Sequence, residues 1–277
     1  MQLVFGSKVL DLQPTAVVAI LNVTPDSYYD GGQLLNTSAL LQKAKEAVDG
    51  GADILEIGGE STGPESKEVP EETEKSRVLP ALRALRSAFP SAWIAIDTTK
   101  AQVAEAALSI GADMINDISA GRADPAMFSC IAKHGCPYVM MYAKDPTPRT
   151  TRTEMQYDDV MKAIREFLTE RIALARQSGI EKSQLILDPG LGHFVSSNPK
   201  YSFEILSRLV EITDLGPILV SPSRKSFLAG KQNLPPSERL PATLEASLLA
   251  VKNGASLIRT HDPKETREAL SKITSVR

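Results

Sequence analysis

Several apolar, mostly β-branched runs in this chain break off in a side chain able to do chemistry. The run 16–21 ends in Asn22, 54–57 ends near Glu60, 93–96 ends in Asp97 and 114–115 ends in Asn116. Further on, 185–187 ends in Asp188, 218–220 leads into Ser223-Arg224-Lys225, and 257–258 ends in Arg259 and His261. Asp97, Asn116 and Asp188 together make an acceptor-rich surface, suited to a flat heterocycle that presents several N–H donors. Ser223, Arg224, Lys225, Arg259 and His261 make a donor-rich surface, suited to a small anion such as a phosphate. Any one Asp or Asn at such a point can instead cap a helix or close an Asx-turn, so the reading rests on their convergence.

Convergence needs an architecture that brings distant strand ends together. Helical spacing covers 38–49, 71–88, 102–110, 125–134, 155–177, 202–212, 242–252 and 264–273, so strand and helix alternate about eight times. Three helices stop at Gly51-Ala52, Gly111-Ala112 and Gly254-Ala255, where glycine suits the left-handed position that ends a helix. This repeated punctuation predicts an α/β fold, a (β/α)8 TIM barrel, as a single domain over 1–277. In such a barrel the ligand site lies beyond the carboxyl ends of the strands, and loops after the last two strands commonly hold a phosphate. The polar loops 25–37, 61–70 and 144–153 are long, as expected on that face. The first of them, opened by Asn22, lies beside Gly58-Gly59-Glu60-Ser61-Thr62, and adjacent mobile loops suggest closure over a substrate.

Bulk properties exclude other classes. A formal net charge of -3 argues against a nucleic-acid or anionic-membrane partner. No apolar stretch is long enough to span a bilayer and no signal pattern is seen, which places the protein in the cytoplasm. Cys130 and Cys136 read as buried thiols. His134, His193 and His261 are scattered in sequence, so no His/Cys cluster suggests a structural transition metal. A metal here would be Mg²⁺ held partly by a phosphate ligand.

The motifs resemble those of the dihydropteroate synthase family over nearly the whole chain. The matching segments are Ile20-Leu21-Asn22-Val23-Thr24-Pro25-Asp26-Ser27, Ile57-Gly58-Gly59-Glu60-Ser61-Thr62, Ile96-Asp97-Thr98, Ile115-Asn116-Asp117, Leu187-Asp188-Pro189-Gly190, Ser223-Arg224-Lys225-Ser226 and Arg259-Thr260-His261-Asp262. The resemblance implies condensation of 6-hydroxymethyl-7,8-dihydropterin pyrophosphate with p-aminobenzoate, giving 7,8-dihydropteroate and pyrophosphate, with Mg²⁺. It implies that Asp97, Asn116 and Asp188 hold the pterin edge, with Lys225 on its oxo side and Met141 near the ring. Asn22, Arg259 and His261 would bind pyrophosphate and its metal, Asn22 being the metal ligand. Thr62, Pro64, Ser223 and the Tyr28 loop would wall the p-aminobenzoate site. A homodimer is expected from the same likeness.

Three positions depart from the family pattern. Ser61-Thr62-Gly63-Pro64-Glu65 stands where Ser-Thr-Arg-Pro-Gly is usual, which removes a charge-assisted hydrogen bond of about 1.5 to 3 kcal/mol. Gly192-His193-Phe194-Val195 replaces Gly-Phe-Gly-Lys, giving the p-aminobenzoate pocket a different wall at His193, and Met140-Met141-Tyr142-Ala143 replaces a Met-His-Met type run. Two of these three changes, with Val220-Ser221-Pro222-Ser223-Arg224-Lys225 and Arg259-Thr260-His261, resemble the sulfonamide-insensitive synthases and imply low sulfonamide sensitivity. Two alternatives share the pterin carboxylates: a pterin-binding paralogue without turnover, and a barrel presenting methyltetrahydrofolate to a corrinoid protein. The latter leaves the anion-binding residues unexplained.

Overall fold

The computed structural model describes residues 1–13, 15–23 and 33–274, apart from the side chains of 33–36, 273 and 274. The chain opens with an antiparallel hairpin, β1 (Gln2–Phe5) and β2 (Lys8–Asp11). Eight parallel strands follow: β3 (Ala16–Asn22), β4 (Ile54–Gly58), β5 (Trp93–Asp97), β6 (Met114–Asp117), β7 (Tyr138–Met141), β8 (Leu185–Asp188), β9 (Leu219–Val220) and β10 (Leu257–Thr260). They pair in the order β8-β7-β6-β5-β4-β3-β10-β9. A bridge between Leu187 and Ile218, with Leu187 N–H donating to Pro217 O at 2.9 Å, closes the sheet into the expected barrel. Helices α1 (Gln33–Asp49), α2 (Glu71–Ala88), α3 (Ala101–Ser109), α4 (Met127–His134), α5 (Val160–Gln177), α6 (Pro199–Arg208), α7 (Leu240–Lys252) and α8 (Pro263–Thr274) alternate with the strands.

The alternation of side chains along each strand divides the core. Val18, Ile54, Trp93, Ala95, Met114, Val139, Ile186, Leu219 and Leu257 pack inside the barrel. Their neighbours Val17, Leu55, Ile94, Ile115, Leu187 and Ile258 face outward into the layer beneath the helices. Leu3 and Leu12 of the hairpin region join the inner cluster and plug its bottom. Lys8 fixes the hairpin there by bonding Asp113 at 2.9 Å and Ala92 O at 2.8 Å.

The three Gly-Ala stops behave as expected. Gly51, Gly111 and Gly254 have φ of 86, 105 and 105°, and each following alanine N–H reaches back five residues, to Ala47 O, Ala107 O and Ala250 O. Other boundaries move. α5 begins at Val160 rather than 155 because the Asp159 carboxylate caps the N–H groups of Met161 and Lys162. α6 begins at Pro199, after the Asn198 cap, and its expected tail 209–212 is a 3-10 turn. β7 was not among the apolar runs, and neither was the hairpin. Among the described residues no helix is long and apolar enough to cross a membrane.

Candidate active site

Strand register builds the floor of the barrel mouth. Across four neighbouring strands Asn22 pairs with Gly58, Gly58 with Asp97, and Asp97 with Asn116, so these residues form one level. One inward position lower, Ile20, Glu56, Ala95 and Met114 make the next level. Met141 of β7 pairs with Asp188 of β8 and packs with Ile118, Ala143 and Phe194. The sequence-expected acceptors therefore do converge, above an apolar barrel core.

Glu56 was not anticipated. It is fully buried within an otherwise apolar strand, and its Oε2 accepts from Asn116 Nδ2 at 3.0 Å. Its Oε1 accepts from Arg259 Nε at 2.5 Å, while Arg259 Nη2 donates to Asp97 Oδ2 at 2.9 Å. Arg259 thus crosses into the acceptor half instead of standing in a separate donor half, because a half-buried guanidinium facing the fully buried Glu56 carboxylate needs ionised partners. Burial works against its charge, but Glu56 and Asp97 outweigh this and hold its pKa above the ordinary value. A charged residue in the middle of an apolar strand was the available sequence clue.

The acceptors are primed for N–H donors. Asn116 is 3 % exposed, and its Oδ1 has no hydrogen-bond partner. Burial pushes Asp97 up to about 7, against the attraction of Arg259 and with the help of Glu56, Glu74 and Asp117. Burial also raises Asp188, opposed by Lys225 and by the Gly190 N–H, which donates to Asp188 Oδ1 at 2.7 Å. Gly190 has φ of 68° and a Cβ there would lie 2.4 Å from Tyr142 O, so the turn after Asp188 requires glycine. Lys225 Nζ donates to Leu191 O at 3.2 Å and lies 5.2 Å above the Phe194 ring. Burial lowers its pKa to about 8, Asp188 opposing and Arg259 assisting.

The last two strands supply the rest. Ser223 Oγ is 2.9 Å from His261 Nδ1 and accepts from His261 N–H at 3.1 Å. Although His261 keeps an exposed side, dehydration of its ring and then the charges of Arg259 and Arg224 hold its pKa down to about 4. Arg224 is committed elsewhere: its Nε and Nη2 bond Asp262 at 3.0 and 2.5 Å.

A second group of residues braces the loops. Thr62 O accepts from Thr150 N–H at 3.3 Å, and Thr150 Oγ1 donates to His193 O at 2.6 Å. Arg149 pairs with Glu60 and bonds Lys67 O at 3.2 Å, and its Nε is buried without a partner. Lys100 pairs with the same Glu60 and with Glu74 at 2.6 Å. The loop 144–153 therefore braces the loop 61–70, which contains Gly63 and the half-buried Thr62 and Pro64, against the turn at His193. His193 Nε2 lies 3.1 Å from Ser226 Oγ, and its Nδ1 is buried without a partner. Arg149, Lys100 and Glu74 were missed because their part is set by tertiary contact alone. Tyr28 lies outside the described residues.

The family profile described as "Pterin binding enzyme" matches residues 18–261. The dihydropteroate synthase of Escherichia coli K12 is 38 % identical over 262 residues, covering 94 % of this chain and 91 % of that protein. The chain belongs to the dihydropteroate synthase family. Two solved members agree over the whole fold. The Yersinia pestis dihydropteroate synthase in complex with a sulfonamide drug is 37 % identical with a TM-score of 0.92, covering 100 % of this chain and 99 % of that one. The Xanthomonas albilineans dihydropteroate synthase with 4-aminobenzoic acid is 35 % identical with a TM-score of 0.91, covering 99 % and 97 %. Neither the paralogue reading nor the methyl-carrier reading finds support beside these dihydropteroate synthases.

Proposed function

We propose that this chain joins p-aminobenzoate to the methylene carbon of 6-hydroxymethyl-7,8-dihydropterin pyrophosphate, releasing pyrophosphate and forming 7,8-dihydropteroate. The observation that carries the reading is the buried, unpartnered Asn116 Oδ1 within one acceptor cluster with Asp97 and Asp188. A heterocycle edge with several N–H groups satisfies all three, and Met141 offers an apolar contact for the ring. Lys225 then faces the oxo side.

As the carbon–oxygen bond breaks, its electron pair goes to pyrophosphate and positive charge grows on the methylene. Arg259 and Lys225 favour the departing anion, and the nearby carboxylates favour the cation. The amine lone pair forms the carbon–nitrogen bond, and the nitrogen then releases one proton. No protein nucleophile is needed. Ser223 and His261, 2.9 Å apart, would donate to a pyrophosphate oxygen, and the anion would draw His261 toward its protonated form. Thr62, Pro64, His193, Ser223 and Tyr28 are assigned to the p-aminobenzoate walls. Arg224 serves by holding the Ser223–Lys225 turn, at φ of 56°, through Asp262.

Mg²⁺ fits Asn22, whose side chain is exposed at the end of β3 and makes no hydrogen bond to a described residue. One amide oxygen with phosphate oxygens and water is a usual set for this ion. When bound, Mg²⁺ would neutralise charge on the leaving pyrophosphate. Pairing of two copies is also proposed, supported by exposed Phe203 of α6 and Val210 of the 3-10 turn that follows it.

Purified protein given both substrates should release pyrophosphate and form dihydropteroate. Asp188→Ala should abolish pterin binding by calorimetry, and unchanged affinity would contradict the site. Low sulfonamide sensitivity is proposed from Gly63 and from the His193-Phe194 turn. Inhibition should therefore be weak when titrated against p-aminobenzoate, and ordinary tight competition would overturn that part.

A further inference from the structure

Outside the barrel mouth, one of the scattered histidines meets a cysteine and a carboxylate. His134 and Cys130 are four residues apart in α4, so they share one face of that helix, and the face meets Glu105 of α3. Glu105 Oε2 is 2.9 Å from His134 Nε2 and 3.6 Å from Cys130 Sγ. The three donor atoms all lie within 4.8 Å of one another. This corrects the expectation that no His/Cys cluster exists.

We propose that Glu105, Cys130 and His134 form a binding site for one divalent ion of the zinc class, separate from the barrel mouth. The donor set is one thiolate, one imidazole and one carboxylate, the mixture zinc takes, whereas Mg²⁺ prefers oxygen alone. Bonds of about 2.0 to 2.3 Å at a tetrahedral centre hold donor atoms roughly 3.3 to 3.7 Å apart. The Glu105–Cys130 contact already has that spacing and all three donors lie within 4.8 Å, so side-chain rotations complete it. Without metal the carboxylate takes the place of the ion, receiving the imidazole and thiol hydrogens. On binding, the thiol proton leaves to solvent, and the imidazole hydrogen sits on Nδ1 while Nε2 ligates.

Access is from one side. Cys130 is buried while Glu105 and His134 are half-buried, so the fourth position opens to water. Lys133 also holds Glu105, at 2.7 Å, but through Oε1, which leaves Oε2 for the ion. An ion there would pin α3 to α4, the two helices that follow the strands bearing Asp97 and Asn116.

The test uses the full chain, stripped with chelator and titrated with Co²⁺. One Co²⁺ per chain should bind with a thiolate-to-cobalt charge-transfer band, which Zn²⁺ removes and millimolar Mg²⁺ leaves unchanged. Cys130→Ser should lose the band, Cys136→Ser should keep it, and His134→Gln and Glu105→Gln should each weaken binding by about tenfold or more. Should Cys130→Ser fail to fold by circular dichroism, the two half-exposed variants decide. No band at saturating Co²⁺, or a band that follows Cys136 or survives His134→Gln undiminished, overturns the site.

Discussion

Arg259 holds Asp97 and Glu56 with a single guanidinium, Nη2 lying 2.9 Å from Asp97 Oδ2 and Nε 2.5 Å from Glu56 Oε1. The residue proposed to bind an anion is thus also the counter-ion of Asp97 and Glu56. Glu56 lies one level below, fully buried, and keeps Arg259 compensated if Asp97 turns to a ligand.

Arg259→Met should therefore cost stability as well as activity. Glu56 is fully buried, so removing its partner should cost about 3 kcal/mol, the low end for a buried pair because Arg259 is itself only half-buried. Urea unfolding of Arg259→Met, Glu56→Gln and the double variant should show the double losing less than the sum. Strict additivity would mean the two charges are not coupled.

Affinity for the pterin should follow a bell-shaped pH profile. Asp97 ionises near 7, so below that value a ligand N–H meets a protonated acid, and affinity should rise about tenfold between roughly pH 6 and 8. Lys225, lowered to about 8, gives the falling limb as its charge is lost. Calorimetry across this range should show Asp97→Asn flattening the acid limb only. For folding the sign is opposite: the folded pKa of Asp97 is raised, so its contribution is present below its ordinary 3.8 and lost as pH rises through about 7.

Gly63→Arg should be tolerated, since a Cβ there would meet only Ser61 Oγ, at 3.9 Å. One added charge-assisted hydrogen bond is worth about 1.5 to 3 kcal/mol, so affinity for the pyrophosphate-bearing substrate should rise by about tenfold or more. Arg149 already places a cation against this loop, which favours the lower end. A bare pterin should gain nothing, and an equal gain for it would contradict the proposed anion contact.

Much of this was legible in the sequence for a physical reason. Glycine stops and short β-branched runs are local, so Gly51, Gly111 and Gly254 marked the architecture, and alternation fixed which residues follow each strand. The pairing of Arg259 with Glu56 was not legible, because 203 residues separate them and only strand order makes them neighbours. The same holds for Arg149 with Glu60, and for Glu105 with His134. β7 escaped because its run Tyr138–Met141 does not break off in an acid, amide or base, and the hairpin because its alternation lies outside the repeating units.

The barrel closes between β8 and β9 by one short bridge, where the other strand pairs carry fuller ladders. Asp188 ends one bank of this seam, and Ser223 and Lys225 follow the other. A heterocycle held by both banks acts as a staple across the least-bonded join of the cylinder. On the proposed function, occupancy of the site would then also decide how firmly the barrel stays shut.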